Sequence, residues 1–288
     1  MVATLQPFTL CADDYALSAD IDAGILQLLR QQRLGAVSCM VTSPRWREAA
    51  PALAAFAGRV DLGLHLDFTQ GFPGQPAWPL PGLILLAWLR VLPVAALERE
   101  IARQLRRFEE ATGRLPDYID GHQHVHQLPQ VSDALLRQVA RHWSGRKPWL
   151  RLSRPRQWRG AKAALIGALG AGRLRWQVRE AGILCNPDFA GVYSLSPAAD
   201  YRRLMQAWLT SLAPGGLIMC HPAMVALEEP ALAVATPPPG ARAATPPPAT
   251  GLALARLHEL QYLCGSEFAL DCRMAGRLPV RFRPPRPG

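Results

Sequence analysis

Short apolar runs that end abruptly in ionisable residues recur along this chain. They restrict its fold more than any other feature does. Phe8-Thr9-Leu10-Cys11-Ala12 delivers Asp13 and Asp14. Val60 to Phe68 alternates Leu62, Leu64 and Leu66 with Gly63, His65 and Asp67. Ile119 is followed by Asp120, and Leu217-Ile218-Met219-Cys220 by His221. Such runs read as buried strands, and helical patterns lie between them, such as Ile21, Ile25, Leu28 and Leu29. Strands alternating with helices predict an α/β fold with a parallel sheet, here an irregular (β/α) barrel. Sites in such barrels gather at the carboxyl ends of the strands, where Asp13, Asp14, His65, His122 and His221 would meet.

The densest local signal is Asp120-Gly121-His122-Gln123-His124-Val125-His126, which holds three of the seven histidines. If the strand continues through it, Asp120, His122, His124 and His126 point to one side. Crowded imidazoles are best held neutral, by a metal or by a hydrogen-bonded network. Adjacent Asp13 and Asp14 repel one another. A divalent cation on one would stabilise the pair and leave the other as a base. The alternative is that one of them only caps the next helix, for which Ser18 and Asp20 are better placed. Arg151, among apolar neighbours, either pairs with the acids of the site or lies on the surface.

The 288 residues, 49% of them hydrophobic and 19% charged, describe a globular chain able to bury a large core, read here as one barrel domain over 1–288. The formal charge of +10 invites a nucleic-acid reading, but lysine occurs only at Lys147 and Lys162, and the arginines are scattered. No nucleic-acid partner is expected. No cysteine pair has metal-ligand spacing. Residues 69–93 read as a long binding loop and 45–57 as a helix. Residues 157–181 read as a basic helical stretch interrupted by glycines, 232–250 as a Pro-rich low-complexity insertion, and 283–288 as a basic Pro-rich tail. The first ten residues lack the pattern of a signal peptide, and the run Pro79–Leu89 is too short to span a bilayer. These features predict a cytoplasmic enzyme without stable membrane insertion.

Four blocks in order carry a resemblance. Ala12-Asp13-Asp14-Tyr15, Gly63-Leu64-His65-Leu66, Asp120 to His126 and Met219-Cys220-His221-Pro222 resemble the signature blocks of the YdjC-like carbohydrate deacetylases, a family that includes chitooligosaccharide deacetylases and a hopanoid-associated HpnK-like group. The resemblance implies an irregular (β/α) barrel of the glycoside hydrolase/deacetylase type. It implies one divalent metal ion, with magnesium or zinc placed first, held by Asp14, His65 and His122. Asp13 would be the base and His221 the candidate acid. Asp120, His124, His126 and Arg151 would support the ligands or touch the substrate. Tyr15-Ala16 stands where the family often has Phe-Gly, and Ala223 where it more often has Gly.

The implied reaction removes an acetyl group from an N-acetylated sugar or glycolipid by metal-activated water. A phosphoesterase on the same Asp-His-His site and a non-catalytic sugar-binding relative are the competing expectations. A homodimer is allowed but not required.

Overall fold

The computed structural model describes residues 5–73, 75, 77–225 and 250–283. The Pro-rich insertion, apart from Thr250, and the tail beyond Arg283 lie outside the described residues. The first half runs β1 (Gln6–Tyr15), α1 (Ala19–Arg30), β2 (Ala36–Cys39), α2 (Trp46–Ala49), β3 (Asp61–Leu66), α3 (Leu80–Trp88), α4 (Val94–Thr112), β4 (Tyr118–Gly121), α5 (Val131–His142) and β5 (Trp149–Leu150). The second half runs α6 (Ala161–Ala168), α7 (Ala171–Glu180), β6 (Phe189–Ala190), α8 (Tyr201–Ser211), β7 (Leu217–Cys220), α9 (Gly251–Cys264), α10 (Ser266–Met274) and β8 (Arg277–Pro279).

The strands form one parallel sheet in the order β5-β4-β3-β2-β1-β7-β6, with β8 pairing to the start of β1. The sheet curls, and its two ends meet at a seam built from one segment. Leu150 N donates to Leu184 O at 2.9 Å. The Asn186 side chain then takes the place of a strand: Oδ1 accepts from Leu152 N (2.7 Å) and Nδ2 donates to Leu152 O (2.9 Å). Three residues later Phe189 and Ala190 pair with β7. The fold is therefore the expected α/β barrel type, irregular because its seam is a single backbone bridge at Leu150 extended by the Asn186 side chain.

Strand β1 extends past its apolar run and carries both aspartates. Its register against β2 shifts between Ala12 and Tyr15, and Asp14 adopts φ 72°. This bulge swings Asp14 away from Asp13, so adjacent carboxylates face different partners. Ala16 also sits at φ 74°, where a glycine would be unstrained. Ser18 caps α1, its hydroxyl accepting from Ile21 N, so neither aspartate caps the helix.

Three expectations are corrected. The 69–93 stretch contains α3: Pro81 falls in its first turn, where proline is tolerated, and Leu83 and Ala87 are buried beneath it. The 45–57 helix is a single α-turn continued by a tighter 3₁₀ stretch over Ala50–Phe56. The histidine run does not continue β4. The strand stops at Gly121, and a 3₁₀ turn covers His122–Gln127, with Gln123 and His124 left-handed at φ 51° and 62°. His122, His124 and His126 therefore point in different directions.

Further along, α6 and α7 are separated at Gly170 (φ 131°), where a Cβ would stand 2.0 Å from the Gln127 carbonyl oxygen. Among the described residues no helix is long and apolar enough to cross a membrane. Gly63 has a packing reason, because the Tyr118 ring packs against it and a Cβ would meet that ring at 2.3 Å. Gly82, inside α3, has nothing within 4 Å of an added Cβ. Gly63→Ala is expected to cost about 1–3 kcal/mol by overpacking. Gly82→Ala should add up to about 1 kcal/mol through helix propensity. Urea denaturation checks both, and equal effects at the two positions would contradict this packing.

Candidate functional site

The sheet register begins the site. His65 of β3 lies directly opposite Asp120 of β4. Its Nδ1 is 2.6 Å from Asp120 Oδ1, which assigns the Nδ1 proton to that bond and turns Nε2 inward. There Nε2 stands 3.5 Å from Asp14 Oδ1, and His122 Nδ1 stands 3.1 Å from the same oxygen. Asp14, His65 and His122 each offer a ligand atom, all within 4.8 Å of one another. Asp14 and His65 are buried, while the His122 side chain is 14% exposed and forms the open side of the cluster.

Arg151 joins the remaining acids. Fully buried just past β5, it reaches through the interior to β1. Nη1 meets Asp13 Oδ2 at 2.7 Å and Nη2 meets Asp13 Oδ1 at 2.6 Å. Nη2 also lies 2.5 Å from Asp120 Oδ2. Ser38 of β2 donates to Asp120 Oδ2 (2.6 Å) and Asp13 Oδ1 (3.2 Å), and it shares a 2.7 Å hydrogen bond with the Tyr118 hydroxyl. Burial works against ionising Asp13, but the Arg151 guanidinium outweighs it and holds the carboxyl well below the usual range. Asp14 is held low in the same way, against its burial, by hydrogen bonds from His122 and His65. Burial alone would push His65 down, yet Asp120 raises it to about 10.

The other two histidines of the run sit elsewhere. His126 Nε2 hydrogen-bonds the Arg151 carbonyl oxygen at 2.9 Å, and His124 Nδ1 meets Ser153 Oγ at 2.9 Å. Burial pushes His126 down to about 4 and lowers His124 well below the ordinary range. Both are neutral imidazoles that pin the segment after β5, and so fix where Arg151 starts.

His221 follows β7. Its backbone N donates to Glu259 Oε2 at 2.6 Å. Its Nδ1 is shut off from solvent and has no partner among the described residues. Desolvation lowers it to about 4, so near neutral pH it is a neutral imidazole and holds a second proton only after accepting one.

The sequence reading missed Ser38, Tyr118, Arg256 and Glu259. Arg256 Nη2 lies 2.5 Å from Asp14 Oδ2, and Glu259 accepts from the Tyr193 hydroxyl at 2.7 Å. Their signal was present. Leu252, Arg256, Glu259 and Leu263 recur along one face of α9, and the other faces of that helix are also rich in leucine. Charged residues on a leucine-rich, largely buried helix need buried partners.

A divalent cation fits this chemistry. Three buried carboxylates, Asp13, Asp14 and Asp120, face two guanidinium groups, Arg151 and Arg256. With no ion bound, the raised His65 is the third positive charge facing those carboxylates, and a cation would take that place beside two imidazole nitrogens and a carboxylate oxygen. Asp14, His65 and His122 would hold the ion, leaving positions open on the His122 side.

Comparison with known proteins agrees with the four blocks. The family model described as YdjC-like protein matches residues 7–273. A chitooligosaccharide deacetylase of Enterobacter sp. (strain 638) is 31% identical over 140 residues, covering 45% of this chain and 54% of that protein. One from Escherichia fergusonii is 32% identical over 130 residues, covering 42% and 50%. The chain thus spans about half the length of the curated relatives it matches. A crystal structure from Enterococcus faecalis V583, described as a candidate cellobiose-phosphate cleavage protein, shares the fold. It superposes with a TM-score of 0.66 over 96% of this chain and 98% of that one, at 16% identity.

Burial raises Glu259 to about 7, above the ordinary glutamate value of 4.5. The folded state therefore holds a proton that the unfolded state releases, and its stability falls as pH rises from about 4.5 through 7. Glu259→Gln should flatten that part of the stability curve, measured by urea denaturation at several pH values. An unchanged pH slope would contradict the assignment.

Proposed function

The chain belongs to the YdjC-like protein family, and on that premise we propose that it is a metal-dependent carbohydrate deacetylase. Its substrate class is an N-acetylated sugar or sugar-containing lipid. The observation that carries this reading is the Asp14–His65–His122 cluster, with Asp13 and His221 beside it at the carboxyl ends of β1 and β7. The names of the two deacetylase relatives support the same reaction class.

The bound ion supplies Lewis acidity, acidifying water and polarising a carbonyl. Two imidazoles and one carboxylate place zinc ahead of magnesium, since imidazole suits zinc and hard oxygen-only sites suit magnesium. The protein does the rest. Asp13, kept ionised by Arg151, accepts the proton of the attacking water as the new C–O bond forms on the acetyl carbon. The C–N bond then breaks as the nitrogen takes up the proton that Asp13 accepted, passed through His221 on its side of the site, and acetate and a free amine leave. Asp120 holds His65 in one tautomer and orientation throughout. Asp13 and Arg151 need no rearrangement, so the acceptor stands aligned before substrate arrives.

Loaded protein incubated with a panel of N-acetylated sugars and glycolipids should release acetate and free amine, and no phosphate from phosphorylated sugars. Asp13→Asn should lower kcat by about 10²–10⁴-fold while leaving metal content unchanged by elemental analysis. Phosphate release without acetate, or full activity in Asp13→Asn, would sink the proposal.

A further inference from the structure

Helix α9 reaches the site at three points. Glu259 holds the backbone N of His221, and the Arg256 carbonyl oxygen accepts from Ala223 N at 3.2 Å, two residues further on. The third point is the Arg256 guanidinium on Asp14 Oδ2. Asp14 therefore divides its oxygens: Oδ1 faces the two histidines and Oδ2 faces Arg256. Arg256 is 8% exposed, and its Nη1 is buried with no partner among the described residues. A guanidinium is planar, with its N–H groups in a fixed fork. Nη1 must therefore lie beside Nη2, next to Asp14. A buried donor without an acceptor is costly, and a second unpartnered buried atom, His221 Nδ1, lies on the segment that α9 holds through Glu259 and the Arg256 carbonyl.

We propose that Arg256 is a catalytic residue with two functions: Nη2 fixes the second oxygen of Asp14, and Nη1 donates to the oxygen of the scissile acetyl group and then to the released acetate. This rests on the deacetylase reading. The acetyl oxygen gains negative charge as water adds to the carbonyl carbon, and the product is a full carboxylate. A preorganised, desolvated guanidinium donor suits both states. Arg256 keeps its proton throughout, and no bond to it forms or breaks. The division of labour explains why arginine stands at this position. A lysine could neutralise Asp14 but has no second nitrogen in a fixed fork.

The test is Arg256→Lys in the full-length, zinc-loaded protein. Zinc content, thermal stability, kcat, KM and acetate binding are measured, the last by competitive inhibition and by acetate-induced thermal shift against chloride. The Lys variant is expected to keep one zinc per chain and the wild-type melting temperature. Its acetate affinity should fall at least about tenfold and its kcat roughly 10²-fold, with KM little changed. Arg256→Gln, which keeps a planar N–H donor without the charge, should also lose acetate affinity and covers the case of a poorly folding Lys variant. Wild-type acetate affinity in both variants overturns the inference, as does a loss of activity that only tracks loss of zinc. The two readings separate cleanly. If the wild type releases acetate from no sugar, yet acetate stabilises it and not the Lys variant, the anion contact stands and the substrate class falls. If acetate fails to stabilise the wild type, the inference falls whatever the turnover.

Discussion

The structure depends on one buried ion cluster, Arg151 held between Asp13 and Asp120. Arg151 starts beyond β5, at one end of the sheet, and Asp13 lies on β1, four strands along in sheet order. The guanidinium crosses the barrel interior and ties elements that no ladder of backbone hydrogen bonds joins directly. Removing one member of such a cluster leaves a buried charge uncompensated and typically costs about 3–5 kcal/mol. The cluster is a poor choice for stability alone, because well-packed apolar residues fill a core at no desolvation cost. It becomes intelligible as a frame for charges needed at a site.

Orientation passes outward from that frame. Arg151 and Ser38 occupy one oxygen of Asp120, so the other is free to take the His65 Nδ1 proton. That bond turns His65 Nε2 toward Asp14, while the bulge at Asp14 swings its carboxylate away from Asp13. His124 and His126 act at the root, holding Ser153 and the Arg151 carbonyl. Helix α9 closes the arrangement from the far end of the chain, placing Arg256 on Asp14 and Glu259 under the backbone of His221. A site of this kind depends little on loop closure, since most of its side chains sit on strands or directly after them.

Much of this was legible in the sequence. Apolar runs ending in Asp13-Asp14, His65, Asp120 and His221 identified the strands and the end of the barrel that matters, because a buried strand leaves charge nowhere else to go. The grouping of Asp14, His65 and His122 came from the family resemblance. What could not be read was geometry that depends on partners distant in sequence. The histidine run has the alternation of a strand, but Gln123 and His124 turn left-handed, which periodicity does not reveal. Arg151 could have been a surface residue until Asp13 and Asp120 were seen around it. Arg256 and Glu259 lie in a leucine-rich helix, where their charge signalled buried partners, but which partners those are emerges only from packing. The α3 helix was obscured by the prolines and glycines that surround its start.

The central claim is that Asp14, His65 and His122 converge on one cation while His124 and His126 serve the protein frame. Anomalous diffraction at the zinc edge from crystals of the loaded protein tests it most directly. One peak within coordination distance of Asp14 Oδ1, His65 Nε2 and an imidazole nitrogen of His122 is the expected result. A peak on His124 or His126, or a loaded site that leaves His65 Nε2 uncoordinated, would contradict it.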